Sequence, residues 1–353
     1  MAHDVIFETD NALTRKKWAR DLYKILLPSV EFNFLVGGAD SPIEIKNDLS
    51  KGEGDTIKFG IRKPLTGEGV VGQDELEGNE EKLKFSNFYV TVEELNHAVD
   101  TGGKMDEQRI PYNLLQEAKS ALNDWWAEKL SQYIMAVLCS DTTFTIAGKS
   151  FGPTIVAPDS KHWMCVGSSS DGASATETAM TAADYMDLTF LDKMKQKAEM
   201  MNSNGANYYK VRPLKIGGKN YYRVILHNYC FDILRQNMNA GQWGDIVRAG
   251  QKLQLPNVEF EYNGLIVSKS ERVCKAPTNA NVYRNVLLGA QAACWAWGGA
   301  GDSKSSTMSF VPYKADADRF VMVRGGGIFG CQKARFDSID YGIIVGSAYG
   351  AAL

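Results

Sequence analysis

The spacing of apolar positions changes character several times along the chain, and each change predicts a different element. Apolar residues fall at Leu13, Trp18, Leu22, Ile25 and Leu26 before Pro28 interrupts them, which is one helical stripe. Residues 41–95 read otherwise. Ile43 and Ile45 alternate with polar neighbours, and Thr56-Ile57-Lys58-Phe59-Gly60-Ile61 alternates clearly, as a half-exposed strand does. Residues 83–92 supply a second β-rich run. Between the two lies a long glycine-rich, acidic stretch that includes Leu65, Thr66, Gly67, Glu68 and Gly69, then Glu77, Gly78, Asn79, Glu80 and Glu81. Two strands of about ten residues would span roughly 30 Å. A two-stranded ribbon is marginal alone in water, so a long hairpin with a polar tip predicts an arm that completes itself against another subunit.

The period then becomes helical. Pro111 suits a first turn, and Leu115, Ala118, Leu122, Trp125, Trp126, Lys129, Tyr133 and Val137 recur every three to four residues. A helix over 111–139 would be about 43 Å long. Without sustained heptads, that length predicts a spine packed on a sheet. Leu114, Leu130, Ile134 and Leu138 widen the stripe, as burial on more than one side requires.

From residue 140 to 183 the chain is rich in Ser, Thr, Ala and Gly, with a surface loop expected over 167–174. Helices are expected over 188–201 and 230–238, and a strand over 221–226. Shorter β-type runs fall at 258–262, 265–268, 310–312, 320–323 and 341–345. There is no internal repeat. The fold class is α+β, one long helix with mixed sheet.

Composition narrows what such a chain can do. Its 353 residues can bury a sizeable core, and 39 basic against 42 acidic side chains leave a formal charge of −3. Binding to nucleic acid through phosphate neutralisation needs a clustered cationic surface, and no run of five basic residues occurs. Arg15, Lys16, Lys17 and Arg20 beside Trp18 are the densest cluster, either a solvated helix face or an arm laid on a neighbour's acidic surface. The N-terminal residues carry no secretory pattern, and no run of 18 apolar residues predicts a membrane span. The six scattered cysteines read as reduced thiols.

Candidate chemistry is thin. Gly325, Gly327 and Gly330 satisfy G-x-G-x-x-G, but a dinucleotide site needs that turn between a strand and a helix. With 23 β-like residues after Gly330, a flexible β-turn is the better account. His162-x-x-Cys165 and His227-x-x-Cys230 do not have a usual zinc spacing, and core cysteines are commoner. No nucleophile elbow is present, and Ser168 to Ser170 lack an adjacent base. The pairs Glu80-Glu81 and Glu93-Glu94 read as solvated faces. The expectation is no enzyme, no catalytic residues, no cofactor and no metal.

Several runs carry a resemblance: Lys17-Trp18-Ala19-Arg20-Asp21-Leu22-Tyr23, residues 48–56, 65–70 and 76–81, His97-Ala98-Val99, Gln108-Arg109, Trp125-Trp126 and residues 288–293. Together they resemble the major capsid proteins of tailed bacteriophages with the Hong Kong-type coat fold, more narrowly the group of the N-four-like phages. The first 130 residues are the specific part; residues 140–183 match nothing in it.

The resemblance implies an N-terminal arm (1–40), an extended hairpin loop (41–104), the spine helix of a peripheral domain (105–139), an axial domain with an inserted loop at 140–183 (140–307), and return strands (308–353). It implies self-assembly into hexamers and pentamers of an icosahedral shell enclosing double-stranded DNA without sequence-specific contacts. It places the protein in the virion, assembled in the bacterial cytoplasm with a portal and a possible cement protein. With only about 40 residues before the hairpin, a separate scaffolding protein and no N-terminal cleavage are expected. The alternatives are an encapsulin-like shell of the same fold housing a cargo enzyme, a mixed α/β enzyme, and another virion protein such as a tail tube.

Overall fold

The computed structural model describes residues 32–49, 54–63, 65, 69–72, 75–103, 108–109, 113–167, 174–201, 210–238, 243, 257–299, 309–316 and 320–351. The basic helix expected around Arg15, Lys16, Lys17, Trp18 and Arg20 lies outside them, as do Thr66, Gly67 and Glu68. The chain divides into two compact units.

The first unit contains residues 96–128 and 309–326. The strands Glu93–Gly103 and Ser309–Ala315 flank the first half of Phe320–Lys333. Thr101 donates its hydroxyl to the Val321 carbonyl at 2.6 Å, and the Arg324 guanidinium donates to Asn96 Oδ1 at 2.7 and 3.0 Å. The first turns of the helix Leu114–Leu138 bring Leu115, Ala118 and Leu122 against Val99 and Val323. The His97 ring stacks on Trp125 at 4.3 Å. The helix thus begins three residues after Pro111, inside the expected span, and Leu115, Ala118 and Leu122 of its apolar stripe help form the core of this unit.

The second unit is larger and is built on an eight-stranded mixed sheet. Its spine runs Trp163–Cys165, Ile343–Tyr349, Asn279–Leu288, Lys219–His227, Leu265–Ser270 and Phe260–Tyr262. Residues 282–288 and 343–348 are buried at every position, on both faces of the sheet. The helices Leu188–Met200 and Asn228–Asn237 are capped by Asp187, whose carboxylate accepts from Phe190 N at 2.7 Å, and by His227, whose Nδ1 accepts from Tyr229 N at 3.2 Å.

Two ion pairs cross this core. Arg284 donates to both oxygens of Glu177 at 2.9 Å and to the Ser140 carbonyl at 2.9 Å. Ser347 donates to Glu177 Oε1 at 2.6 Å and accepts from Trp163 Nε1 at 2.9 Å. Glu177 sits on the short helix Ser174–Ala179, within the stretch expected to be an inserted loop, and is fully buried. Lys333 Nζ donates to Asp340 at 2.8 Å, Ser140 Oγ at 2.9 Å and the Ala157 carbonyl at 3.1 Å, so all three ammonium protons are used.

A second set of strands in this unit pairs Val36–Gly37, Ile43–Leu49, Ala293–Gly298 and the second half of Phe320–Lys333. Two sequence expectations are corrected here. The span 41–104 is not hairpin throughout: Ile43–Leu49 is a body strand, parallel to Ala293–Gly298, and the paired hairpin runs from Thr56 to Thr91. Nor is the glycine run a flexible turn. Gly325, Gly327 and Gly330 lie inside the 14-residue strand Phe320–Lys333. At Gly330 a Cβ would stand 2.1 Å from the Thr91 carbonyl oxygen, so the missing side chain lets the hairpin's base approach the sheet.

Candidate intersubunit surface

The hairpin pairs Thr56–Arg62 with Phe85–Thr91 in antiparallel register, Thr56 opposite Thr91 and Arg62 opposite Phe85. One further backbone bond, Lys63 N to the Lys84 carbonyl at 2.9 Å, closes the ladder. Seven residues per strand reach roughly 23 Å, shorter than the ten-residue strands expected.

Alternation sorts the side chains onto two faces. The inner row, Ile57, Phe59, Ile61, Phe88 and Val90, packs on Cys294, Ala296, Ala334 and Phe336. Phe59 stacks on Phe88 at 4.9 Å, and Phe88 meets Phe336 edge-on at 5.1 Å. The outer row carries Thr56, Lys58, Arg62, Phe85, Asn87 and Tyr89, all exposed. Phe85 is 69% exposed and Tyr89 51%, the latter with the Lys58 ammonium 5.6 Å above its ring.

Past the paired strands the exposed apolar residues continue with Leu65, Val71, Leu76 and Leu83. The far end turns at Glu77 and Gly78: Asn79 N donates to the Leu76 carbonyl at 3.0 Å, Asn79 Nδ2 to the Glu75 carbonyl at 2.9 Å, and Gly78 N to Glu80 Oε2 at 2.9 Å. Gly78 has φ +91, a conformation glycine adopts freely. Glu77, Gly78, Asn79 and Glu80 therefore sit together at one turn, with Gly69 and Leu65 exposed on the connecting segments. Beside the second hairpin strand runs an open groove of about 950 Å³ whose walls include Phe85, Tyr89, Pro153, Val156, Arg335 and Asp337.

The outer aromatic row was not singled out by the sequence. The available signal is that residues 85–90 are apolar on both phases of the strand, Phe85 and Tyr89 on one and Phe88 and Val90 on the other. Large exposed apolar side chains in a row mark an interaction surface.

The other candidate residues serve the core. His162 Nδ1 lies 3.0 Å from Asp159 Oδ2, and burial pushes the Cys165 thiol up to about 12. His227 stacks on Tyr283 at 3.7 Å, and burial pushes Cys230 up to about 12 as well. Among the described residues no three His, Cys, Asp or Glu side chains come together as a metal site. Glu93 accepts from Gly152 N at 2.6 Å, a structural contact. Among the described helices none is long and apolar enough to cross a membrane.

Solved phage capsids share this α+β fold, hairpin included. The capsid of Ralstonia phage GP4 superposes with a TM-score of 0.82 over 99% of both chains at 20% identity. The Cyanophage Pam1 capsid does so with 0.77 over the whole of both chains at 19% identity, and the head of Helicobacter pylori bacteriophage KHP40 with 0.68 over 99% of both at 15%.

The chain belongs to the phage capsid protein family, whose model matches residues 8–350. It is 26% identical over 117 residues to the major capsid protein of Pseudomonas phage KPP25, a stretch that covers 33% of this chain and 31% of that protein. The family is structural and not enzymatic, and these likenesses do not favour the cargo-housing shell.

Proposed function

We propose that this chain is the major capsid protein of a tailed phage, assembling as hexamers and pentamers into an icosahedral shell around double-stranded DNA. The observation that carries the reading is the hairpin, seated on its own body by one face and exposing Phe85, Tyr89, Leu65, Val71, Leu76 and Leu83 elsewhere. Burial of these apolar groups against a second copy would stabilise the assembled subunit. Repeated around closed rings, many modest contacts of this kind give a stable shell without one tight interface.

In this reading the hairpin tip, 65–69 and 77–80, reaches a neighbouring subunit, and the basic segment of Arg15, Lys16, Lys17, Trp18 and Arg20 lies on a neighbour's acidic surface. The helix Leu114–Leu138 is the peripheral spine, residues 140–307 make the axial domain, and residues 308–353 return to the periphery. The nearly balanced charge of −3 suits a wall that must not adhere to packed DNA. A separate scaffolding protein and a portal are the further partners, with assembly in the bacterial cytoplasm. Kinship to the N-four-like coat proteins rests on the motifs of the first 130 residues.

Negative-stain microscopy of the expressed full chain tests the reading. Closed polyhedral particles are expected; tubes or dispersed monomers at every concentration would refute it.

A further inference from the structure

Between the strands Arg335–Phe336 and Ile339–Asp340 stands a two-residue turn, Asp337-Ser338, with φ of +52 and +66. Both central residues being left-handed makes it the tight hairpin turn that matches strand twist. It is braced from behind. The Arg335 guanidinium donates to the Ser338 carbonyl at 2.6 Å, and Asp340, fully buried, is held by Lys333 at 2.8 Å and by Asp159 N at 3.0 Å.

The Asp337 side chain points from this rigid mount onto both strands of the long hairpin. Its Oδ1 accepts from the buried Ser86 hydroxyl at 2.7 Å, and its Oδ2 pairs with Lys63. Ser86 lies on one strand and Lys63 just beyond the other. One carboxylate therefore ties the two arms of the hairpin to one point of the body.

One neighbouring part of the hairpin's seat is less filled. Next to the tie is a cavity of about 120 Å³, walled by Phe59, Ile61 and Phe88 from the hairpin and by Ala293, Phe336 and Tyr341 from the body. A void of that size removes packing partners from the side chains around it. The polar tie thus stands at the tip end of the paired strands, beside a less filled part of the seat.

We infer that Asp337 is a positioning residue that sets the inclination of the hairpin on the body, with the adjoining cavity giving the strands room to take another inclination when the tie is released. The inference rests on the capsid reading, because a shell of hexamers and pentamers asks one chain to reach its neighbours at more than one angle. Asp337 acts through the hairpin in this role.

The test uses the full chain. Asp337→Gly removes the carboxylate while keeping a backbone that favours positive φ. Asp337→Asn keeps an acceptor for Ser86 and also tolerates that backbone. Ser86→Ala removes the tie from the hairpin side. Hydrogen exchange on unassembled subunits should show residues 56–62 and 85–91 opening about tenfold more often in Asp337→Gly and Ser86→Ala, the scale of one lost charge-assisted bond. Asp337→Asn should stay close to wild type.

In assembly, the first two variants should give particles of broadened diameter, and Asp337→Asn should restore uniform ones. Wild-type exchange in Asp337→Gly and Ser86→Ala overturns the inference, and so do uniform shells from variants whose hairpins exchange faster. If the wild-type chain forms no shells while the exchange results hold, the capsid reading fails and the tie stands.

Discussion

The strand Asn279–Leu288 and the strand Phe85–Thr91 come from the same compact unit and treat their difficult residues in opposite ways. In the first, the misfit is polar. Arg284 is buried in the middle of an apolar sheet, and Glu177, Ser140 and Trp163 meet it within the chain. In the second, the misfit is apolar. Phe85 and Tyr89 face outward and stay 69% and 51% exposed, with the Lys58 ammonium over Tyr89. The body closes its chemistry internally, and the hairpin leaves its own open. A subunit that folds alone and assembles later needs both behaviours in one chain.

The largest expected effect comes from breaking the closed side. Arg284→Ala leaves the Glu177 carboxyl buried without its partner, a loss of about 3–5 kcal/mol for a pair of this kind. Urea unfolding of the subunit would read it directly. Phe88→Ala attacks the seam between the two regions by removing the ring that touches both Phe59 and Phe336. It should cost about 3 kcal/mol and free the hairpin, seen as lost exchange protection over 56–62 and 85–91 with the eight-stranded sheet still protected.

A smaller effect is set by pH. Burial holds the His227 imidazole down to about 4 against its ordinary 6.5, with the Lys275 ammonium nearby acting in the same direction. The unfolded chain takes up a proton between pH 6.5 and 4 that the folded chain refuses. The contribution to stability is therefore complete above 6.5 and falls as pH drops towards 4, by about 2 kcal/mol. Unfolding midpoints at pH 7.5 and 5 would show it, and His227→Asn, which keeps a capping side chain for the helix Asn228–Asn237, should flatten the difference.

The smallest effect on the subunit belongs to the open side. Replacing Phe85 and Tyr89 together by Ser should change subunit stability by less than about 0.5 kcal/mol, as exposed positions do. The same pair should raise the protein concentration needed for assembly, measured by light scattering. A large loss of subunit stability would mean that this face is already answered internally.

How much of this was legible in the sequence follows from how local each cause is. The long helix and the two hairpin strands were readable because their apolar periods are carried by neighbouring residues, such as Leu115, Ala118 and Leu122 or Ile57, Phe59 and Ile61. The strand Asn279–Leu288 was not, because Arg284 and Asn285 break its apolar run and two of the groups that meet them, Glu177 and His227, lie more than fifty residues away. The glycines of Phe320–Lys333 looked like a turn because their cause, the approach of Thr91 to Gly330, is also remote. Asp337 gave no sign at all, since its partners are Ser86 and Lys63. The tip residues were recognisable as a group from composition, whereas the two outer aromatics, Phe85 and Tyr89, emerged once alternation fixed which face was buried.

The most direct test of the account is removal of residues 65–81 from the full chain, followed by paired measurements of subunit unfolding and particle formation. The account predicts a subunit with wild-type unfolding behaviour that forms no closed shells at concentrations where the intact chain does. Normal shells from the shortened chain would contradict it.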